Sequence, residues 1–426
     1  MAVGGQLALV GGLVLADPGT GQILPANVLI AGERIVAVRP DAPPPGARVI
    51  DARGLTVLPG LIDLHTHPPT PRAMALYAQH GVTSVRFAGT PLGVAARLRE
   101  RVSSGVVPGP RIFSCGPILD EPPAAWADSS VEVKDRDEAR LAALRSIEVE
   151  ADALLVAQRI RPPTLAAIVE TAHVRGVAVT GQTWTTSVRE AVLAGMDGVE
   201  NTARLPEDPS LGPDWVEAYT SIGNRLARLV KLWRSAPQGP IDELLGLMAE
   251  RGTDWAPEIC SFGHWSSLTD GPLAALPGYA LLSAEEQAAV RTARARQAEG
   301  WTDDDRDNAR AAIERIQQAV AAYHRLGGPV AVGTDSHPGG LFYHLELAYL
   351  SQAGLGNADV IAAATIGGAR ALRRSADLGT LEAGKLADLV VVDGDPLADL
   401  AALHRVQYAF VGGRLLLENG RLVGQA

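Results

Sequence analysis

Pro59-Gly60-Leu61-Ile62-Asp63-Leu64-His65-Thr66-His67 is the stretch on which the reading of this chain turns. Leu61, Ile62 and Leu64 are apolar enough for a strand buried on both faces. Side chains alternate along a strand with period two, so the two histidines at its C-terminal end share one face. Two neutral imidazoles converging in this way begin a divalent-metal site. Pro59-Gly60 marks a sharp entry into the strand. Far downstream, Val332-Gly333-Thr334-Asp335-Ser336 offers an aspartate at another strand end.

Outward from that stretch, the texture differs on its two sides. Residues 6–58 carry short apolar runs (Leu7–Val10, Asn27–Ile30, Arg34–Val38) separated by Gly, Pro and Asp turns. The C-terminal end repeats that texture in Ala387–Asp393, Val406–Val411 and Arg414–Leu417. Neither end holds enough apolar sequence for a core of its own. Residues 1–58 and 378–426 are therefore expected to pair into one small β-sandwich domain, which would leave no long unpaired edge.

Between them, residues 59–377 alternate. Strands are expected at Leu61–His65, Ser84–Phe87, Arg111–Cys115, Ala153–Ala157, Val177–Thr180, Gly198–Asn201, Asp254–Pro257 and Val330–Thr334. Helical runs such as Pro163–Arg175, Thr186–Ala194, Ile241–Arg251 and Asp305–Leu326 lie between them. This is the pattern of an α/β chain folded as a (β/α)8 TIM barrel, whose chemistry sits at the C-terminal ends of the strands. Residues 204–238 and 283–308 are longer than simple connections. They read as solvated helices, with a lid or a homo-oligomer surface as the other readings.

Composition bounds the function. A chain of 426 residues with 47% hydrophobic content suits a large barrel plus a smaller partner domain. A formal charge of −10 argues against nucleic acid or an anionic membrane as the main partner. Cys115 and Cys260 fit neither a zinc knuckle nor a disulfide framework, as in a reducing cytoplasm. The apolar N-terminus lacks a basic flank and meets Asp17-Pro18-Gly19 early, so it reads as a strand. Trp184, Trp255 and Trp265 all fall where βα loops are expected. In a chain with 4% aromatic residues they suggest a pocket for a small, apolar or aromatic substrate, ordinary loop packing being the other reading.

The stretch to His67, Gly81-Val82-Thr83-Ser84-Val85-Arg86, Gly333-Thr334-Asp335, and a tail from Ala364-Thr365-Ile366-Gly367-Gly368 through Gly379-Thr380-Leu381-Glu382-Ala383-Gly384-Lys385-Leu386-Ala387-Asp388-Leu389-Val390 together resemble the amidohydrolase superfamily. The branch with imidazolonepropionases and prolidase-like hydrolases is the nearest in pattern. The resemblance implies the barrel, the two-ended sandwich and metal-assisted hydrolysis of a C–N or related bond. It also exposes departures. Where binuclear members end strand four with a lysine or glutamate, this chain offers Leu155. Histidines expected after strands five and six are replaced by Gln182 and Asn201. Both amides keep a hydrogen-bonding role while giving up most metal affinity.

His65, His67 and Asp335 are thus the expected ligands of one divalent ion, zinc for preference, with an open position for water. Asp335 is also the expected base, taking a proton from water and returning it to the leaving group. Glu258, His264 and His337 follow strands seven and eight, and Gln182 and Asn201 join them as candidate site residues. Arg86 ends strand two, where a structural ion pair is favoured over a contact to a substrate carboxylate. A metal-assisted isomerisation, elimination or decarboxylation, and a non-catalytic binding protein, stay open on the same scaffold.

Overall fold

The structure is a computed structural model and describes residues 6–67, 71–202, 205–206, 222–261, 273–276, 278–297, 299–336 and 339–423. Barrel strands one to seven are Leu61–Thr66, Val82–Phe87, Arg111–Ser114, Ala153–Val156, Ala178–Gly181, Gly198–Glu200 and Asp254–Ala256. All pairings along these strands are parallel. The expected eighth strand is not a regular one. Residues 330–336 still close the barrel: Ala331 N donates to Trp255 O at 2.9 Å, and Leu64 N donates to Val332 O at 2.9 Å. Two short strands escaped the sequence reading. Ile118–Asp120 inserts beside strand four, and Ser130–Glu132 pairs on its outer side.

Why strand one begins where it does is visible at Gly60. A Cβ there would sit 1.9 Å from Thr83 Oγ1, so no other residue fits without displacing strand two. Apolar residues pointing outward from the strands (Leu154, Val156, Val179, Val199, Trp255) merge with the helices into one continuous core. Helices Pro162–Val174, Val188–Leu193, Gln238–Arg251 and Asp303–Arg325 stand within a few residues of their expected positions. Of residues 204–238, helix Ile222–Ser235 is described. It is not a solvated helix: Leu229, Val230 and Trp233 are buried where it packs on Asp303–Arg325. No described helix is long and apolar enough to cross a membrane.

The two chain ends build one nine-stranded sheet. Its central seam joins Leu55–Pro59 to Leu389–Asp393, antiparallel, over five residue pairs. Arg48–Asp51, Leu55–Pro59 and Arg421–Leu422 were not foreseen as strands. The sheet folds over a core of its own, with Leu9, Val28, Ile30, Ile35 and Val57 from one end meeting Leu389, Val391 and Phe410 from the other. Leu389, Val390, Val391 and Val392 are completely buried, at about 1.5–3 kcal/mol for each large apolar side chain. A chain truncated after Leu378 loses that seam and exposes the edge of Leu55–Pro59. It is expected to be insoluble on expression, and recovery of a soluble, cooperatively folding barrel would refute this.

Candidate active site

The end of barrel strand one is not straight. Its register against strand two shifts between Asp63 and Thr66, a bulge that re-aims the residues around His65. Strand eight grips the same place: Thr334 N and Asp335 N both donate to His65 O, at 3.2 and 2.8 Å. This double contact sets Asp335 beside the two histidines. His67 Nε2 lies 3.0 Å from Asp335 Oδ1, and His65 Nε2 lies 3.8 Å from the same oxygen. The imidazole rings stand edge to face with centroids 5.5 Å apart.

Beneath them lies a buried acidic pair. Glu200, at the end of strand six, accepts a hydrogen bond from His65 Nδ1 on one oxygen. Its other oxygen takes bonds from the Arg86 guanidinium and, at 2.6 Å, from Thr180 Oγ1. Arg86 Nε donates to Leu64 O at 2.8 Å, beside the register shift. Burial works against an ionised Glu200, but the charges of Arg86 and His65 outweigh it and hold its carboxyl down to about 2. Glu258, just after strand seven, has the opposite fate. Burial pushes it up to about 8, and its Oε1 lies 3.1 Å from His65 Nδ1 without hydrogen-bond alignment. Among the described residues neither Glu258 oxygen has a hydrogen-bond partner. A buried carboxyl left this way is costly unless a cation or proton joins it. Burial lowers the pKa of His65, but the negative charges of Glu258 and Glu200 together raise it well above the usual imidazole range.

Asn201, Glu258 and Asp335, which follow strands six, seven and eight, all have left-handed backbone with φ of 66°, 52° and 48°. For residues other than glycine this conformation costs about 1–3 kcal/mol, and it clusters at functional sites. In and just after strands two to five, Ala88, Cys115, Leu155, Ala157 and Ala178 form an apolar cluster.

The sequence candidates fare unequally. His65, His67, Glu258 and Asp335 converge. Gln182 is half-buried beyond strand five, and its amide makes no hydrogen bond to a described residue. Asn201 Oδ1 accepts from Thr202 N at 2.6 Å, closing its own turn. His264, His337 and Trp265 lie outside the described residues. Arg86 is in the expected ion pair. Trp184 and Trp255 belong to the core between strands and helices, where Trp255 stacks edge-on against Tyr323 with centroids 5.6 Å apart. Both are buried there, as ordinary packing of loop and strand against the helices would have it. Glu200 was missed as a site residue. The signal was present, because Val199 faces the helices and a period of two then turns Glu200 into the barrel.

The donor set suits a divalent ion. Ligand atoms of His65, His67 and Asp335 lie within 4.8 Å of one another, as do those of His65, Glu200 and Glu258. Both groups share His65, but its Nδ1 is taken by Glu200 and leaves Nε2 for the first group. A carboxylate behind a ligating histidine is the usual outer support of such a site. A cation held here would also favour ionisation of the buried Glu258 carboxyl, which burial otherwise keeps protonated.

Residues 280–416 match the amidohydrolase family model. The chain also resembles a bottromycin amidohydrolase at 20% identity, with a TM-score of 0.75 over 97% of this chain and 87% of the other. A Xaa-Pro dipeptidase follows at 21% identity and a TM-score of 0.69, covering 96% of this chain and 99% of the other. The likeness to the amidohydrolase family model lies in residues 280–416, and the solved neighbours share the fold over nearly the whole chain. Among curated relatives, the chain is 40% identical to the adenine deaminase of Deinococcus radiodurans over 82 residues. That match spans 18% of this chain and only 15% of the relative's length.

Proposed function

We propose that this chain hydrolyses a C–N or related bond of a small molecule, using one divalent ion, zinc for preference, held by His65, His67 and Asp335. The observation that carries the proposal is the approach of both histidine Nε2 atoms to one Asp335 oxygen, with His65 Nδ1 already committed to Glu200. Two imidazole nitrogens and a carboxylate oxygen make an open, three-ligand set of the catalytic kind. When bound, the ion supplies Lewis acidity toward a carbonyl-type group and lowers the pKa of water.

The chain's own groups do the rest. Asp335 has a carboxylate at the mouth, about a quarter exposed, that takes the proton of the attacking water and delivers it to the leaving nitrogen. Glu200 and Arg86 fix the ring of His65. The names of the neighbours, an amidohydrolase and a dipeptidase, and of the relative, a deaminase, support C–N chemistry.

Leu155 stands in the apolar cluster of strands two to five, where a group bridging two ions would be needed. Elemental analysis of protein purified without added metal, then titrated with zinc, is therefore expected to reach one ion per chain. Two tightly held ions would refute the ligand set. No uptake at all, unchanged by replacing His65 and His67, would turn the assignment toward a binding protein.

A further inference from the structure

Four arginines meet in a cleft of about 330 Å3 at the face of the barrel opposite His65, together with Val102, Ile112, Phe113 and Val411. The place follows from the chain: Arg111 opens barrel strand three, Asp152 immediately precedes strand four, and Arg414 comes from the terminal sheet. Two of the arginines are committed to structure. Arg111 makes two bonds of 2.9 Å to the buried Asp388, tying barrel to sheet. Arg99 bonds Asp152 at 2.6 Å.

The other two are differently placed. Arg414 donates to Ser103 O at 3.2 Å and has no carboxylate within ion-pair distance among the described residues. Arg374 lies over the Phe113 ring, 5.8 Å from its centroid, and its nearest carboxylate is Asp377 at 3.8 Å. Burial, and after it the neighbouring charge of Arg111, lowers the Arg414 pKa, against an opposing pull from Glu33. Asp152, Asp388 and Asp377 offset three of the four guanidinium charges, which still leaves the cleft net positive in a chain of net charge −10.

We propose that this cleft binds a small organic phosphate, its dianion held by Arg374 and Arg414 and its apolar part against Phe113, Val102 and Val411. Guanidinium forks match phosphate oxygens in geometry and charge, and the apolar wall gives the rest of the molecule a surface to cover. The site is independent of the hydrolytic reading, because it shares no residue with the His65 cluster.

Calorimetric titration of the intact protein with phenyl phosphate and with inorganic phosphate, at constant ionic strength set by chloride, tests it. Saturable binding is expected for both, tighter for phenyl phosphate, and weakened at least about tenfold in Arg414→Gln and in Arg374→Gln. Arg374 is half exposed and weakly paired, so its variant decides the matter if Arg414→Gln fails to fold. Absence of saturable heat in the unaltered protein overturns the proposal, and so does unchanged affinity in Arg374→Gln. Equal affinity for acetate and phosphate overturns the assignment to a dianion.

Discussion

Asp335→Asn is expected to abolish turnover, by about 10²–10⁴-fold or more, while the protein still folds. The amide has the shape of the carboxylate and keeps an oxygen toward His67, so the loop after strand eight has no cause to rearrange. Its backbone is held by the His65 carbonyl, a contact the change does not touch. Asparagine also tolerates the left-handed φ of 48° as well as aspartate does. What disappears is the proton acceptor, together with the anionic oxygen that Asp335 would offer the ion. Steady-state rates, once a substrate is found by screening amide and cyclic-amide compounds, are the primary measurement. Thermal melts with and without zinc give the control. Full activity in the variant would remove Asp335 from the chemistry. A loss of rate no larger than the loss of folded protein would make it a structural carboxylate.

Glu200→Gln is expected to be the most destabilising single change near the site. Arg86 and Glu200 are both buried, with side chains 3% and 1% exposed, and each is the other's counter-charge. The neutral amide leaves the Arg86 charge uncompensated, and breaking such a pair from one side costs about 3–5 kcal/mol. It also removes the acceptor that fixes His65, so zinc affinity should fall about 10–100-fold. Urea denaturation gives the first number and competition against a chelator the second. Combining Glu200→Gln with Arg86→Met should recover much of the stability but none of the affinity. A stability loss below about 1 kcal/mol would show that water reaches the pair.

Much of the barrel was legible because its strands are short apolar runs spaced by helical periodicity, and because buried parallel strands need little else. The eighth strand was harder. Residues 330–336 bond to both neighbouring strands but form only isolated bridges, Trp255 with Val330 and Thr66 with Ser336, so their apolar content promised more regularity than the backbone adopts. In the site, His65, His67 and Asp335 were readable from their positions at strand ends. Glu200 was legible only through its alternation with Val199, a weak signal in a three-residue strand whose register is set by contacts across the sheet. Trp255 misled for a related reason. The strand places it on the outer side, against Tyr323, and only alternation around Ala256 distinguishes that from the mouth. The arginine cleft was beyond sequence reading, since Arg99, Arg111, Arg374 and Arg414 are joined only by the packing of sheet on barrel.

The seam between Leu55–Pro59 and Leu389–Asp393 has a consequence for how the molecule is made. On the ribosome the first strands emerge long before the strand that completes their sheet. At about 5–20 residues per second, synthesis of the intervening barrel occupies tens of seconds. During that interval the Leu55–Pro59 edge has no partner, and an unpaired strand edge is a template for other chains. The nascent protein therefore depends on something shielding that edge, whether a chaperone or the growing barrel itself. Slowing translation late in the message should raise the aggregated fraction more than slowing it early.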